Sequence, residues 1–322
     1  MKKLYPLFLS GVTKSPIWGG TRLPREWNKC APDGGSVGES WELTVRKKEM
    51  SIIQNGSLAG TPIGDLLRDC SGELMGKSSL TNGEFPLLIK FIDAADRLSV
   101  QVHPNDDYAA RVENDRGKTE MWYIVDADEG AEIICGLADG IDNAAFVSAL
   151  QKGELMSVLK TQKVRTGETY FIPAGLPHAI GKGILIAEIQ QNCDLTYRVY
   201  DYDRRQADGT LRQLHIDKAC DVIRSFPKGE IDAIRYSRGL PSSREVVLAD
   251  CDYFRVEKLQ MCKNTLTQNG YLRHLLCIDG EGVIECDGVS YPFGRGNSIL
   301  LPACLSDILL TGTGTVLISV AY

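Results

Sequence analysis

The chain has 322 residues, 43% hydrophobic and 24% charged, with a formal net charge of −6 at pH 7. That length supports two domains and a sizeable core. The acidic balance gives no electrostatic basis for a nucleic-acid partner or an anionic membrane surface, so an anionic substrate would need a local basic pocket.

The N-terminal apolar run Leu4-Tyr5-Pro6-Leu7-Phe8-Leu9 is short, is broken by Pro6 and is followed by no small-x-small cleavage site, unlike a secretory signal. No apolar run nears the ~18 residues of a membrane span. The expected location is therefore the cytoplasm, and the ten scattered cysteines, none in a CxxC pair, read as reduced thiols. Cys193 stands out only for its place near the site described below. Pattern and punctuation then predict, in chain order, a helix over 61–70, a strand over 87–91 and a helix over 106–113. Strands follow over 121–125 and 132–135, then a helical pair over 144–150 and 155–160. Strands over 169–172 and 184–189 precede a helix over 217–226, capped by Asp217 and stopped by Pro227. Short strands among 32 glycines and 13 prolines predict a mainly β sandwich or barrel. Gly, Pro and Ser cluster over 235–244, the expected linker.

A weak internal repeat points to a second barrel. The run Gly296-Asn297-Ser298-Ile299-Leu300-Leu301-Pro302-Ala303-Cys304-Leu305-Ser306-Asp307 aligns with Gly167-Glu168-Thr169-Tyr170-Phe171-Ile172-Pro173-Ala174-Gly175-Leu176-Pro177-His178, and each precedes an apolar strand. Cys304 replaces Gly175 and Asp307 replaces His178. The expected division is a metal-binding unit with helical insertions over 1–235 and a second, degenerate unit without metal over 236–322.

The Gly167 to His178 run is the chemically richest stretch. Upstream lie Gln101-Val102-His103-Pro104 and Gly117-Lys118-Thr119-Glu120. Gln101 and His103 are two apart, so on a strand they face the same way. Glu120 opens an apolar strand, and His178 follows a Pro–Gly turn that can fold back. Two imidazoles, a carboxylate and an amide oxygen are ligand chemistry for a divalent metal. The set suits zinc with room for water or substrate; manganese, iron and cobalt accept the same donors. His215 and His274 have no such neighbours, and His215 reads as structural.

Further segments identify a relationship. They are Pro16-Ile17-Trp18-Gly19-Gly20, Gly38-Glu39-Ser40-Trp41-Glu42, Leu98-Ser99-Val100 before Gln101, and the run from Glu188 through Asp194 and Arg198 to Arg204. With the three ligand segments they make the chain resemble type I mannose-6-phosphate isomerases of the shorter bacterial form, members of the cupin superfamily. The resemblance implies two cupin (jelly-roll) barrels with a small helical insertion. It implies one Zn2+ per chain on Gln101, His103, Glu120 and His178, and a catalytic arginine at Arg198. Ser99, Lys118, Glu188 and Asp194 fall on positions that the family places around the substrate. The sequence departs at Asn192-Cys193, where the resemblance leads one to expect two serines.

The implied reaction interconverts mannose 6-phosphate and fructose 6-phosphate, a step of mannose metabolism. Moving a proton between C1 and C2 through a cis-enediol needs a base and positive charge near the developing oxyanion. Arg198 stays protonated at neutral pH and is assigned electrostatic work. Glu188 and Lys118 are the acid–base groups, and the sequence does not choose between them. Arg198 has a plainer alternative as an ion-pair partner of Asp194, Asp201 or Asp203, and Trp18 and Trp41 one as core aromatics. The competing functions are a non-catalytic sugar-binding or regulatory cupin and another metal-dependent cupin enzyme such as a dioxygenase. The Gln-x-His pair departs from the His-x-His pattern of many oxygenases.

Overall fold

The computed structural model describes residues 3–46, 48–80, 83–206, 208–240 and 246–322. The fold is mainly β. Two sheets make the first unit. A six-stranded sheet runs in the order Thr169–Ile172, Glu120–Ala127, Ile184–Gln191, Leu87–Ala94, Glu39–Leu43, Val12–Lys14. A five-stranded sheet runs Leu159–Lys163, Glu132–Leu137, His178–Ile180, Val100–Val102, Tyr197–Tyr200. An eight-stranded sheet builds the second unit from the long strands Phe254–Leu266, Arg273–Cys286 and Ile308–Ala321 and shorter neighbours.

Strict alternation decides which face of Leu87–Ala94 does what. Leu87, Ile89 and Phe91 join a core shared with Phe254, Leu276, Leu300 and Leu317 of the second unit. Ile92 turns the other way, into the first barrel, beside Trp122, Ile172 and Ile186. Because the period is two, Lys90 shares the inward face. Each large apolar side chain buried in the shared core contributes about 1.5–3 kcal/mol.

The units are interleaved. Strand Leu7–Ser10 pairs antiparallel with Ser298–Leu301 and carries Ile52–Ile53 on its other edge. The expected linker is described as far as Leu240, beyond the helix Glu230–Arg235; residues 241–245 lie outside the described residues.

Two sequence expectations need correction. Residues 155–160 do not form a helix. Leu155–Val158 is a single 3-10 turn, and Leu159–Lys163 is a strand paired with Glu132–Leu137. Gly153, left-handed at φ 73°, ends the preceding helix Asn143–Lys152 and sends the chain to the sheet edge. The helix expected over 217–226 is Ile216–Val222, with His215 rather than Asp217 at the N-cap. It stops early because Ile223 is extended and Arg224 N–H donates to Gly175 O, a tertiary bond that outweighs local propensity.

Candidate active site and metal centre

Three separate segments converge inside the first barrel and are laced together by their backbones. Gly175 N–H donates to His103 O at 2.9 Å, and Lys118 N–H donates to Pro104 O at 3.0 Å. Glycine is required at both joints. Gly175 has φ +90°, and a Cβ there would stand 2.8 Å from Val222 O. A Cβ on Gly117 would stand 2.5 Å from the backbone of Asn105 and Asp106.

This lacing sets the three buried side chains expected as metal ligands face to face. His103 Nε2 and His178 Nε2 are 3.1 Å apart, and the Glu120 carboxylate lies 3.6 Å from the first and 3.4 Å from the second. One ligand atom from each lies within 4.8 Å of the others. The donor set fits a divalent cation on three counts. His178 Nδ1 bonds Leu176 O at 2.8 Å, which leaves Nε2 as the lone-pair nitrogen. Burial holds His178 down to about 4 and His103 well below the usual imidazole range, so both are neutral, the metal-binding form. Glu120 Oε1, wholly buried, accepts no hydrogen bond, a cost that a cation would relieve. Gln101 stands opposite His178 in register, with its carboxamide nitrogen 3.2 Å from His178 Nε2. Rotation of that carboxamide brings its oxygen, the donor atom, to the same place.

Beside the triad runs one cross-strand row. Trp41, Lys90, Glu188 and Trp122 stand directly opposite one another on four adjacent strands. Trp122 Nε1 donates to Glu188 Oε1 at 3.0 Å, and its ring meets His178 edge-on at 5.4 Å. Lys118 Nζ pairs with Glu120 at 3.0 Å. Lys90 Nζ lies 3.4 Å from Glu188, 3.4 Å from Glu39 and 3.9 Å from Asp194. Burial acts to raise Glu188, but Lys118 and Lys90 outweigh it and hold Glu188 low, at about 2. Burial, seconded by Glu188, pushes Glu120 up to about 8. Burial would lower both lysines, yet the surrounding carboxylates keep both raised and charged.

The other expected residues are placed as follows. Arg198 sits on Tyr197–Tyr200, opposite Gln101 in register. Its guanidinium donates to Gln213 O at 2.9 Å and has no carboxylate in ion-pair reach among the described residues. Asp201 instead takes Arg204 and Arg212, each at 2.6 Å. Burial, then Arg212, lowers Arg198 from the usual arginine value. Ser99 is buried two residues before Gln101. Asp194 is exposed at the rim, where it borders a cavity of about 600 Å³ together with Arg46, Lys48 and Phe85. Asn192 and Cys193 turn into the scaffold, bonding Phe85 O and Arg116 O. Burial raises the Cys193 thiol to about 11. His215 accepts Arg198 N–H at 3.2 Å and so shapes that strand. Trp18 is a core residue, whereas Trp41 faces Lys90.

Sequence reasoning missed Lys90 and, with it, the parts of Glu39 and Trp41. The signal was present: a lysine inside the apolar run Leu87-Leu88-Ile89-Lys90-Phe91-Ile92 is as costly as the carboxylate of Glu188 in its own strand.

Fold and site together define a cupin with a buried His–Glu–His cluster able to hold a metal ion, beside a row that carries a buried lysine and a buried glutamate. The family model of the phosphomannose isomerase type I catalytic domain matches residues 7–140, and that of the mannose-6-phosphate isomerase cupin domain matches residues 244–321. Mannose-6-phosphate isomerase ManA of Bacillus subtilis is 38% identical over 319 residues, covering 98% of each chain. A solved mannose 6-phosphate isomerase from Bacillus subtilis superposes with TM-score 0.86 at 32% identity, covering 98% of this chain and 99% of that one. A mannose 6-phosphate isomerase solved with zinc and yttrium gives TM-score 0.76 at 18% identity over 98% and 99%, which shows the shared fold alone. The chain belongs to the type I mannose-6-phosphate isomerase family, and it is an enzyme, an aldose–ketose isomerase.

Proposed function

We propose that the chain interconverts mannose 6-phosphate and fructose 6-phosphate through a cis-enediol, with one zinc per chain held by Gln101, His103, Glu120 and His178. The observation that carries this is the contact between the ligand set and its ionisable neighbours: Lys118 Nζ lies 3.0 Å from Glu120, and Trp122, which donates to Glu188, meets the His178 ring edge-on. Zinc is the metal of a solved relative of the same fold. When bound, it polarises substrate oxygens as a Lewis acid. The chain's own residues do the rest. Glu188 and Lys118 move the proton between C1 and C2 and the attached oxygens. The two buried ammonium groups and the Arg198 guanidinium stabilise charge on the enediolate in a site where water cannot screen it. Ser99 and Asp194 contact the substrate, Asp194 from the border of the 600 Å³ cavity, where its carboxylate lies 3.9 Å from Lys90 Nζ.

The division into a metal-bearing unit over 1–235 and a metal-free unit over 236–322 belongs to the same proposal, with Leu7–Ser10 lent to the second sheet. Among the described residues no helix is long and apolar enough to cross a membrane. A cytoplasmic location is part of the proposal, supported by ten free cysteines. A coupled isomerase assay on mannose 6-phosphate and free mannose tests the activity. Turnover of the phosphorylated sugar is expected; turnover of neither sugar contradicts the proposal.

A further inference from the structure

Lys90 is held in an unusual way for a buried ammonium. Its Nζ lies at 3.4 Å from both Glu39 and Glu188, longer than the ~2.7–2.9 Å of a charge-assisted hydrogen bond. It makes no hydrogen bond to any described residue, so its three N–H groups stay unspent inside the site. Glu188 and Glu39 flank it along and beside the cross-strand row. Glu39 Oε2, the atom nearest Lys90, also accepts the indole N–H of Trp41 at 2.7 Å. Trp41 stands opposite Lys90 in register, with its ring centroid 4.8 Å from Nζ. The indole is itself fixed. It is buried, and Lys14 lies over the ring at 4.7 Å while pairing with Glu49.

We propose that Glu39 and Trp41 are positioning residues of the isomerase: they anchor the Lys90 ammonium from the side away from Glu188, which keeps Lys90 from closing onto that carboxylate and leaves its N–H groups for substrate oxygens. The idea rests on the isomerase reading above. A buried ammonium beside a single carboxylate collapses into a tight pair, because little else compensates its lost hydration. A second carboxylate on another side divides the attraction, and the exposed Asp194, at 3.9 Å, adds a weaker third pull. Trp41 fixes the direction of that second carboxylate, and its π face adds a weaker hold on the cation.

Glu39→Gln tests this with little change of shape, because the glutamine oxygen still accepts the Trp41 N–H. Zinc content and melting temperature are expected to stay at wild-type values. Turnover is expected to fall about 10-fold with KM changed less than about 2-fold, since the interaction lost is one made in the transition state. Trp41→Phe, which keeps a ring but frees Glu39, is expected to fall less in the same direction. If Glu39 acts through Lys90, adding Glu39→Gln to Lys90→Met costs nothing further, because residues of one network are non-additive. Wild-type turnover in Glu39→Gln, or full additivity with Lys90→Met, overturns the proposal. A crystal structure of Glu39→Gln reads the clamp without any assay. Lys90 Nζ should close to about 2.9 Å from Glu188, and a Lys90 left in place also overturns it. Wild-type protein inactive on both sugars would strike the isomerase reading and leave the crystallographic test standing.

Discussion

The two units share a strand–turn–strand run and part company at its end. In the first, Thr169–Ile172 leads through Pro173 and Gly175 to His178; in the second, Ser298–Leu301 leads through Pro302 and Cys304 to Asp307. Gly175 N–H donates to His103 O and so ties the turn to the ligand strand. At the matching place Cys304 N–H donates to Glu73 O, and Ala303 N–H to Leu74 O, docking the turn on the helix Ser71–Met75. His178 faces His103 and Glu120, whereas Asp307 accepts a backbone N–H from Gln268 at 2.7 Å, an ordinary turn bond. The interiors differ in the same sense. The first holds Lys90, Lys118, Glu120 and Glu188; the second packs Leu259, Leu275, Ile299, Leu301 and Ile318. The lesson is that this architecture does not itself carry chemistry. A few inward-facing positions do, and the turn decides whether a histidine reaches them.

The largest effects are expected from removing the proposed metal ligands of the first unit. His103→Ala and His178→Ala should each abolish metal binding and turnover while circular dichroism still shows a folded β protein. Wild-type metal content and turnover in either variant strikes that residue from the site. Next comes Arg198. Arg198→Ala should lose at least ~10²-fold in turnover, the scale of one oxyanion donor, with zinc retained and KM little changed; Arg198→Lys should be less impaired, keeping charge but not the planar fork. Near-normal kinetics in Arg198→Ala would leave it a scaffold residue bonded to Gln213. The second unit should respond in the opposite currency. Ile318→Ala, in its apolar interior, should cost about 2–5 kcal/mol in denaturant unfolding and leave the kcat of the folded fraction unchanged. A selective loss of kcat there would tie the second interior to the reaction. The smallest effect is chemical. Burial raises the Cys193 thiol to about 11, so at pH 8 it is protonated and should resist thiol reagents in the native protein, while the exposed Cys30, Cys262 and Cys304 react. Rapid native labelling of Cys193 would show that the site wall opens.

The ligand loops were legible in the sequence because glycine and proline punctuate them at spacings that only a tight turn explains, and because histidine is scarce in this chain, with four in all. The strands expected from apolar runs are present, and most extend one to three residues beyond the expected ends, whereas short strands such as Val100–Val102 and the polar edge strand Leu159–Lys163 carry no such run. Long-range partners were not. Nothing in Leu7–Ser10 specifies Ser298–Leu301 as its neighbour, since that pairing is fixed only when the shared core forms. The helix expected to reach residue 226 yields at Val222 for a similar reason, a bond from Arg224 N–H to Gly175 O in the turn before His178. Lys90 is hard to read from sequence because a strand buried on both faces looks uniformly apolar, and only the register that sets Glu188 opposite it marks the lysine as part of the site.

If one metal in the first unit works with the adjacent acid–base row, metal content and turnover rise and fall together. The most direct test measures metal content and mannose 6-phosphate turnover on the same preparation, before chelation, after it, and after stepwise return of zinc. About one zinc per chain is predicted, with turnover lost on chelation and restored in proportion to zinc up to that ratio. Full turnover in exhaustively metal-free protein would contradict the claim.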